Sequence, residues 1–310
     1  MINRLPQVKH IYQNHHLDST RWERYVPRND DIIIATSYKS GTTWMQMIVL
    51  KLIFCGQEIP SLGEISPWLD EPIRPLDEVI GLLKTQNHRR VIKTHLPLDG
   101  FPYYPQVKYI VVGRDVRDVF ISLWNHYKNY TDRLYEKLNN YPGDPLPRCP
   151  NNVHKFWYDW ITRGWFEWES DGYPFWSTLN FIQTWWNFRH LPNIIFVHFN
   201  DLLKNLEGEI QRIADYLKIK IPANIFPSVV EAVTFSEMKK NAVQINPGET
   251  EEYFKGGAKS FFHKGTNGHW KKVLTTDELK LYETAVVRTL SPDCAYWLKQ
   301  EHHDKSENEK

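Results

Sequence analysis

Cysteine is scarce: Cys55, Cys149 and Cys294 are the whole complement of this 310-residue chain, odd in number and far apart. Neither a disulfide framework nor a cysteine zinc site fits that pattern, so the three read as buried or idle thiols and no metal is expected. Long apolar runs are missing too. No stretch offers the roughly 18 apolar residues of a membrane span, and the polar segment 1–20 lacks the apolar core of a secretory signal. The expectation is a cytoplasmic chain with no membrane span. An excess of charge of one sign is also absent, with 38 Lys and Arg against 37 Asp and Glu. No overall basic field would draw in a nucleic acid, and any anion site must be local. There is no internal repeat or low-complexity linker, and 41% apolar content can fill a large core, so one domain over 1–310 is expected, with a frayed charged tail at 300–310.

What is present is aromatic: 13 tryptophans, many of them crowded into Phe156–Trp186. Short β-branched runs punctuate the first two thirds of the chain. Ile32-Ile33-Ile34-Ala35 reads as a buried strand that turns through Thr36-Ser37 into a polar loop, followed by a helix apolar almost all round from Trp44 to Phe54 and closed by Gly56. Further strands are expected at Arg90–Thr94, Lys108–Val112 and Ile194–Val197, each with a helical pattern nearby. Strands alternating with helices imply an α/β fold, a parallel β-sheet flanked by helices. In such sheets ligands sit beyond the carboxyl ends of the strands, which is where Lys39, His95 and Arg114 fall.

The loop Ser37-Tyr38-Lys39-Ser40-Gly41-Thr42-Thr43-Trp44 combines small residues, hydroxyls, a lysine and the free N–H groups of a helix N-terminus. Phosphate or sulfate suits such a cradle, although an ordinary helix cap would look similar. Its lysine precedes the glycine, the reverse of the Gly-Lys-Ser/Thr order of nucleotide kinases. Lys93-Thr94-His95 ends the second strand, and histidine titrates near neutrality, as a general base must; a lone histidine at a strand end is more often structural. Arg114 at the end of the third strand offers a planar fork for a phosphate dianion, with Ser122 on the following helix to complete it; a salt bridge to Asp118 is the alternative.

Taken in order, these segments resemble the cytosolic sulfotransferases. Tyr38-Lys39-Ser40-Gly41-Thr42-Thr43-Trp44 is similar to that family's 5′-phosphosulfate loop, Tyr-Pro-Lys-Ser-Gly-Thr-Thr-Trp, with Ser37-Tyr38 standing where the family has Tyr-Pro. Lys93-Thr94-His95-Leu96-Pro97, Arg114 to Ser122, Phe235 to Asn241, and Phe262-His263-Lys264-Gly265 to Trp270 match further family segments, and the likeness spans about 20–285. The resemblance implies 3′-phosphoadenosine 5′-phosphosulfate (PAPS) as donor. Lys39 would contact its bridging oxygen, Thr42 and Thr43 would hold the 5′-phosphate, and Trp44 and Phe235 would enclose the adenine. Arg114, Ser122, His263, Lys264 and Gly265 would bind the 3′-phosphate. Catalysis would fall to His95 as base, with Lys39 and Lys93 stabilising negative charge. Three departures stand out: His263 replaces an arginine, Phe199 replaces an adenine-reaching tyrosine, and the segment Lys271 to Lys280 matches the family's dimer motif only in part, so no homodimer is carried over.

The expected activity is in-line sulfuryl transfer from PAPS to a hydroxyl or amine of a small acceptor, a phenol or alcohol before others. The segment 128–176 is longer than in compact relatives and rich in aromatics; it reads equally as a scaffold layer and as a lid over an apolar acceptor. Three rivals stay open. A nucleotide kinase would use a similar cradle, a nucleotide sensor would bind without turnover, and some relatives eliminate water from a sulfated alcohol.

Overall fold

The computed structural model describes residues 5–141, 143–245, 252–257 and 265–299. Four strands form one parallel sheet in the order β2-β1-β3-β4: β1 Ile32–Thr36, β2 Val91–Thr94, β3 Lys108–Gly113 and β4 Ile194–His198. The four expected strands are all there, each within a residue of its expected bounds at either end. Every strand is parallel to its neighbour, so every connection is a crossover, and helices fill the crossovers on both faces.

Burial follows the pleat. Ile33, Ala35, Ile92, Tyr109 and Val111 face one layer, where they meet Trp22, Phe101, Phe120 and Trp185. Ile32, Ile34, Val91, Ile110, Val112 and Val197 face the other, against Met45, Ile48, Val49 and Leu52 of α1 (Thr42–Ile53) and the helix Leu206–Leu217. The interior strands are buried on both faces, which is why they read as continuous β-branched runs rather than alternating ones.

Register decides where the site lies. Ile34 pairs with Lys93 and with Ile110, Ala35 with Thr94 and Val111, and Gly113 with His198. The strands therefore end level, and the residues just beyond them (the loop from Ser37, His95, Arg114 and Phe199) emerge at one edge. Helix α1 stops at Ile53, and Gly56, with φ 79°, returns its N–H to the Lys51 carbonyl at 2.9 Å. The expected glycine closure is thus realised.

The aromatic segment divides. Trp157 and Trp160, on the helix Val153–Thr162, are fully buried against Phe120, and the Trp157 indole N–H donates to the Glu278 carbonyl at 3.2 Å. Leu134 and Leu138, on the helix Asp132–Leu138, line the cavity described below, as does Tyr130. No described helix is long and apolar enough to cross a membrane, and the described residues hold no cluster of three or more metal-ligating side chains.

Candidate functional site

The turn between β1 and α1 is built by backbone geometry before any side chain acts. Lys39 sits at φ 64° and Gly41 at φ 105°. A Cβ on Gly41 would come within 2.9 Å of the Phe199 ring, so only glycine passes there. Gly41 is also the N-cap of α1 and supplies no side-chain cap, and Thr42 and Thr43 of the first turn line the cavity. Ser40 differs from its expected place: its hydroxyl bonds the Ser37 hydroxyl at 2.5 Å, its N–H donates to the Ser37 carbonyl, and it is fully buried. It shapes the loop and does not line the cavity.

The remaining expected residues that the structure describes gather around one cavity of about 290 Å³. Lys39, Gly41, Thr42, Thr43 and Trp44 come from the loop and α1, Lys93 and His95 from the end of β2. Arg114 and Ser122 follow β3, and Phe199, Phe235 and Gly265 close the far end. His263 and Lys264 lie outside the described residues.

His95 is buried and aromatic-walled, with Trp68, Tyr38 and Trp176 around its ring. Its Nδ1–H donates to the Thr36 carbonyl at 2.7 Å, with the Thr36 hydroxyl at 3.1 Å. That bond assigns the tautomer and makes Nε2 the bare nitrogen. Burial first, and then the nearby Lys93 and Lys39 charges, hold the imidazole well below the usual histidine range, so it is neutral at pH 7. The backbone N–H of His95 donates to Asp70 at 3.1 Å, and the same carboxylate takes the Trp68 indole N–H at 2.7 Å. Asp70 thereby ties His95 and the Trp68 wall together.

Three cations share this space. Lys93 lies 4.1 Å above the Trp68 ring. The Lys39 ammonium is pushed down to about 7 by burial, then by Lys93 and Arg114, and Arg114 is lowered to about 10, again chiefly by burial. Such a cluster is uncomfortable when empty and is relieved by an anion. The guanidinium of Arg114 donates to the Lys39 carbonyl at 3.1 Å, the Thr266 carbonyl at 3.2 Å and the Asn267 side chain at 2.8 Å, and it covers the Phe199 ring at 4.2 Å. Asp118, the alternative ion-pair partner, accepts the Gly268 N–H at 2.8 Å. Arg114 and Asp118 thus tie the Thr266–Gly268 turn to the sheet.

The aromatic end is equally specific. Trp44 meets Phe199 edge-on at 5.3 Å and donates its indole N–H to the Val233 carbonyl at 2.8 Å. Gly265, at φ 64°, lies so close to Phe235 that a Cβ would overlap the ring at 2.3 Å.

The model of the sulfotransferase domain family matches residues 29–291. The chain belongs to the sulfotransferase family. It is 32% identical to a glycolipid sulfotransferase of Mycobacterium bovis, over 93% of either chain, and 26% identical to the rat sulfotransferase 1A1, over 86% of either chain. Its fold is shared with the mouse sulfotransferase SULT7A1 complexed with PAP (TM-score 0.69, 18% identity, 91% of this chain and 92% of that one). Retinol dehydratase, in a complex with retinol and PAP, is similar as well (TM-score 0.66, 24% identity, 88% and 84%). The expected enzyme class, a sulfotransferase, therefore holds.

Several residues of this sulfotransferase's cavity escape a motif reading: His16, Trp68, Glu71, His126 and Tyr130. One of them carried a usable signal. His126 follows Ser122 by four positions on the helix Val116–Tyr127, so the two share a face.

Proposed function

We propose that PAPS binds across the carboxyl ends of β1 and β3 and that the enzyme transfers its sulfuryl group to the hydroxyl of an amphiphilic acceptor, with His95 as general base. One observation carries this reading: a neutral, tautomer-defined His95 lies in the same cavity as Lys39 and Lys93. The residues present fit the donor. The uncapped start of α1 and the Lys39, Lys93 and Arg114 cations suit its phosphates and sulfate, and Trp44 and Phe235 suit a purine between rings.

PAPS supplies the activated sulfuryl group. The residues supply alignment, a proton acceptor and fixed positive charge. His95 Nε2 takes the acceptor proton as the new O–S bond forms. Lys93 offsets charge on the sulfuryl oxygens, and Lys39 offsets charge on the bridging oxygen as its bond to sulfur breaks and 3′-phosphoadenosine 5′-phosphate departs. Arg114 and Ser122 hold the far phosphate.

Ile73, Ile121, Leu134 and Leu138 give the acceptor chamber apolar walls, while Glu71 and His126 give it polar ones. That mixture, with glycolipid sulfotransferases among the relatives, favours an alcohol that joins an apolar body to a hydroxylated head over a plain phenol. Calorimetric titration with 3′-phosphoadenosine 5′-phosphate, of wild type and of His95→Ala, followed by a sulfate-transfer screen over glycolipids, alcohols and phenols, tests it. Equal binding with turnover by wild type alone is expected. Failure of wild type to bind the nucleotide would sink the assignment.

A further inference from the structure

Beside the catalytic groups runs a second, largely buried polar system that the transfer chemistry leaves unexplained. Lys39 Nζ lies 3.3 Å from His126 Nδ1, and His126 Nε2 lies 3.1 Å from the Tyr38 hydroxyl. That hydroxyl is 3.1 Å from the Tyr130 hydroxyl, which is 3.4 Å from His16 Nε2. His16 Nδ1 is 2.5 Å from His15 Nδ1, and His15 Nε2 is 3.0 Å from the carbonyl of Pro174, in the aromatic segment.

The direction of this chain follows from its far end. A carbonyl only accepts, so His15 Nε2 carries the proton and its Nδ1 is bare. His16 must then donate from Nδ1, leaving its Nε2 to accept from the Tyr130 hydroxyl. Tyr130 has one proton to give, so Tyr38 donates to Tyr130, and His126 must donate from Nε2 to Tyr38. His126 Nδ1 is left as a lone pair facing Lys39. Each step assumes neutral rings. Burial provides for that by holding His126 and His16 well below the ordinary histidine range and His15 at about 3. Every donor proton points away from Lys39, so the aligned dipoles present their negative ends to its ammonium, and neighbouring bonds in such a row polarise one another.

We infer that His126 is a positioning residue, which holds the Lys39 ammonium at the transfer centre through a one-way hydrogen-bond chain running by Tyr38, Tyr130, His16 and His15 to the Pro174 carbonyl. The inference rests on the sulfuryl-transfer role given to Lys39 above. It makes the aromatic segment a distant anchor of the reacting lysine. Lys39 is faced by Lys93 from the end of β2, Arg114 from the end of β3, His95 from the loop after β2 and His126 from the helix Val116–Tyr127. Of these, only the neutral rings of His95 and His126 carry lone pairs, and it is His126 that presents one to the ammonium.

The chain is read directly by nitrogen NMR of the full-length protein labelled in histidine. His126 and His15 should be Nε2–H tautomers and His16 an Nδ1–H tautomer at neutral pH. The positioning role is read by kinetics. His126→Phe should lower kcat about tenfold or more. It should also move the alkaline limb of the kcat profile to lower pH by about half a unit or more, because Lys39 loses its charge earlier. His126→Asn, whose amide oxygen falls near the Nδ1 position, should recover most of the rate; His126→Gln, which reaches toward Tyr38 instead, should not. Tyr130→Phe, which leaves His126 in place, should shift the limb in the same direction by less. An Nδ1–H or cationic His126, a His126→Phe profile superimposable on wild type, or Asn no better than Gln would each overturn the proposal. Absence of transfer by wild type would count against the parent reading of Lys39, whereas a wrong tautomer pattern in an active enzyme would count against the chain alone.

Discussion

At the residue scale, Lys39 gives the sharpest expectation. In the empty protein its amine is pushed down to about 7 by burial and by Lys93 and Arg114. An anion seated among these groups raises it, so nucleotide binding is linked to proton uptake. The sign follows. Well below pH 7 Lys39 is already protonated and contributes no pH dependence, whereas above pH 7 binding must recharge it and the affinity falls as pH rises, until the bound form itself loses its proton. Calorimetry at pH 7.5 in two buffers of different ionisation enthalpy should report net proton uptake with 3′-phosphoadenosine 5′-phosphate, and Lys39→Met should abolish it. Uptake that persists in Lys39→Met would transfer the effect to another group. Gly41 offers a second test. With φ at 105° and the Phe199 ring 2.9 Å from any Cβ, Gly41→Ala strains the turn by about 1–3 kcal/mol, which should appear as a lowered midpoint of thermal unfolding and weaker nucleotide binding. Lys39, His95, Arg114 and their neighbours were legible in the sequence because each follows a β-branched run whose parallel register forces a common edge. The pairing of Tyr38 with His126 was not, since no motif spans 88 positions.

At the scale of elements, the strands were legible because burial on both faces demands unbroken apolar runs, and α1 because its apolar residues run all round and end at glycine. The segment 128–176 was not. Tryptophan serves a core and a ligand wall with the same chemistry, and only tertiary neighbours separate the two uses. Trp157 belongs to the core, pressed on Phe120 and hydrogen-bonded to the Glu278 carbonyl, so Trp157→Ala should cost about 3–5 kcal/mol of stability while leaving the ranking of acceptors unchanged. Leu134 faces the cavity. Leu134→Met, which conserves volume and should cost less than about 1.5 kcal/mol, should instead change the ratio of kcat/KM between short-chain and long-chain alcohols. Chemical denaturation and competition assays on the pair separate scaffold from wall. If Trp157→Ala altered the ranking and Leu134→Met did not, the division drawn here would be reversed.

Across the whole molecule, a net charge of +1 conceals a cleft that gathers Lys39, Lys93 and Arg114, and that cleft is assembled from distant parts of the chain. The β1–α1 loop lies near residue 40 and the Thr266–Gly268 turn more than 200 residues later, yet Arg114 bonds both the Lys39 carbonyl and the Thr266 carbonyl. Arg114, Asp118 and the Asn267 to Asn200 amide pair fasten that turn to the sheet end. A nucleotide reaching from the loop to the turn adds cross-links that the empty protein lacks, and ligand at about 100 times its Kd contributes about 2.7 kcal/mol to the folded state. That stabilisation should be unevenly spread. Hydrogen exchange with 3′-phosphoadenosine 5′-phosphate bound should slow most at Ser37–Trp44 and at Gly265–Trp270, the two regions that such a nucleotide would bridge. In Arg114→Ala, protection should survive at the loop, where the start of α1 still receives an anion, and vanish at the turn. Protection confined to the loop in wild type would mean that the far phosphate lies elsewhere and that Arg114 serves only to hold the turn in place.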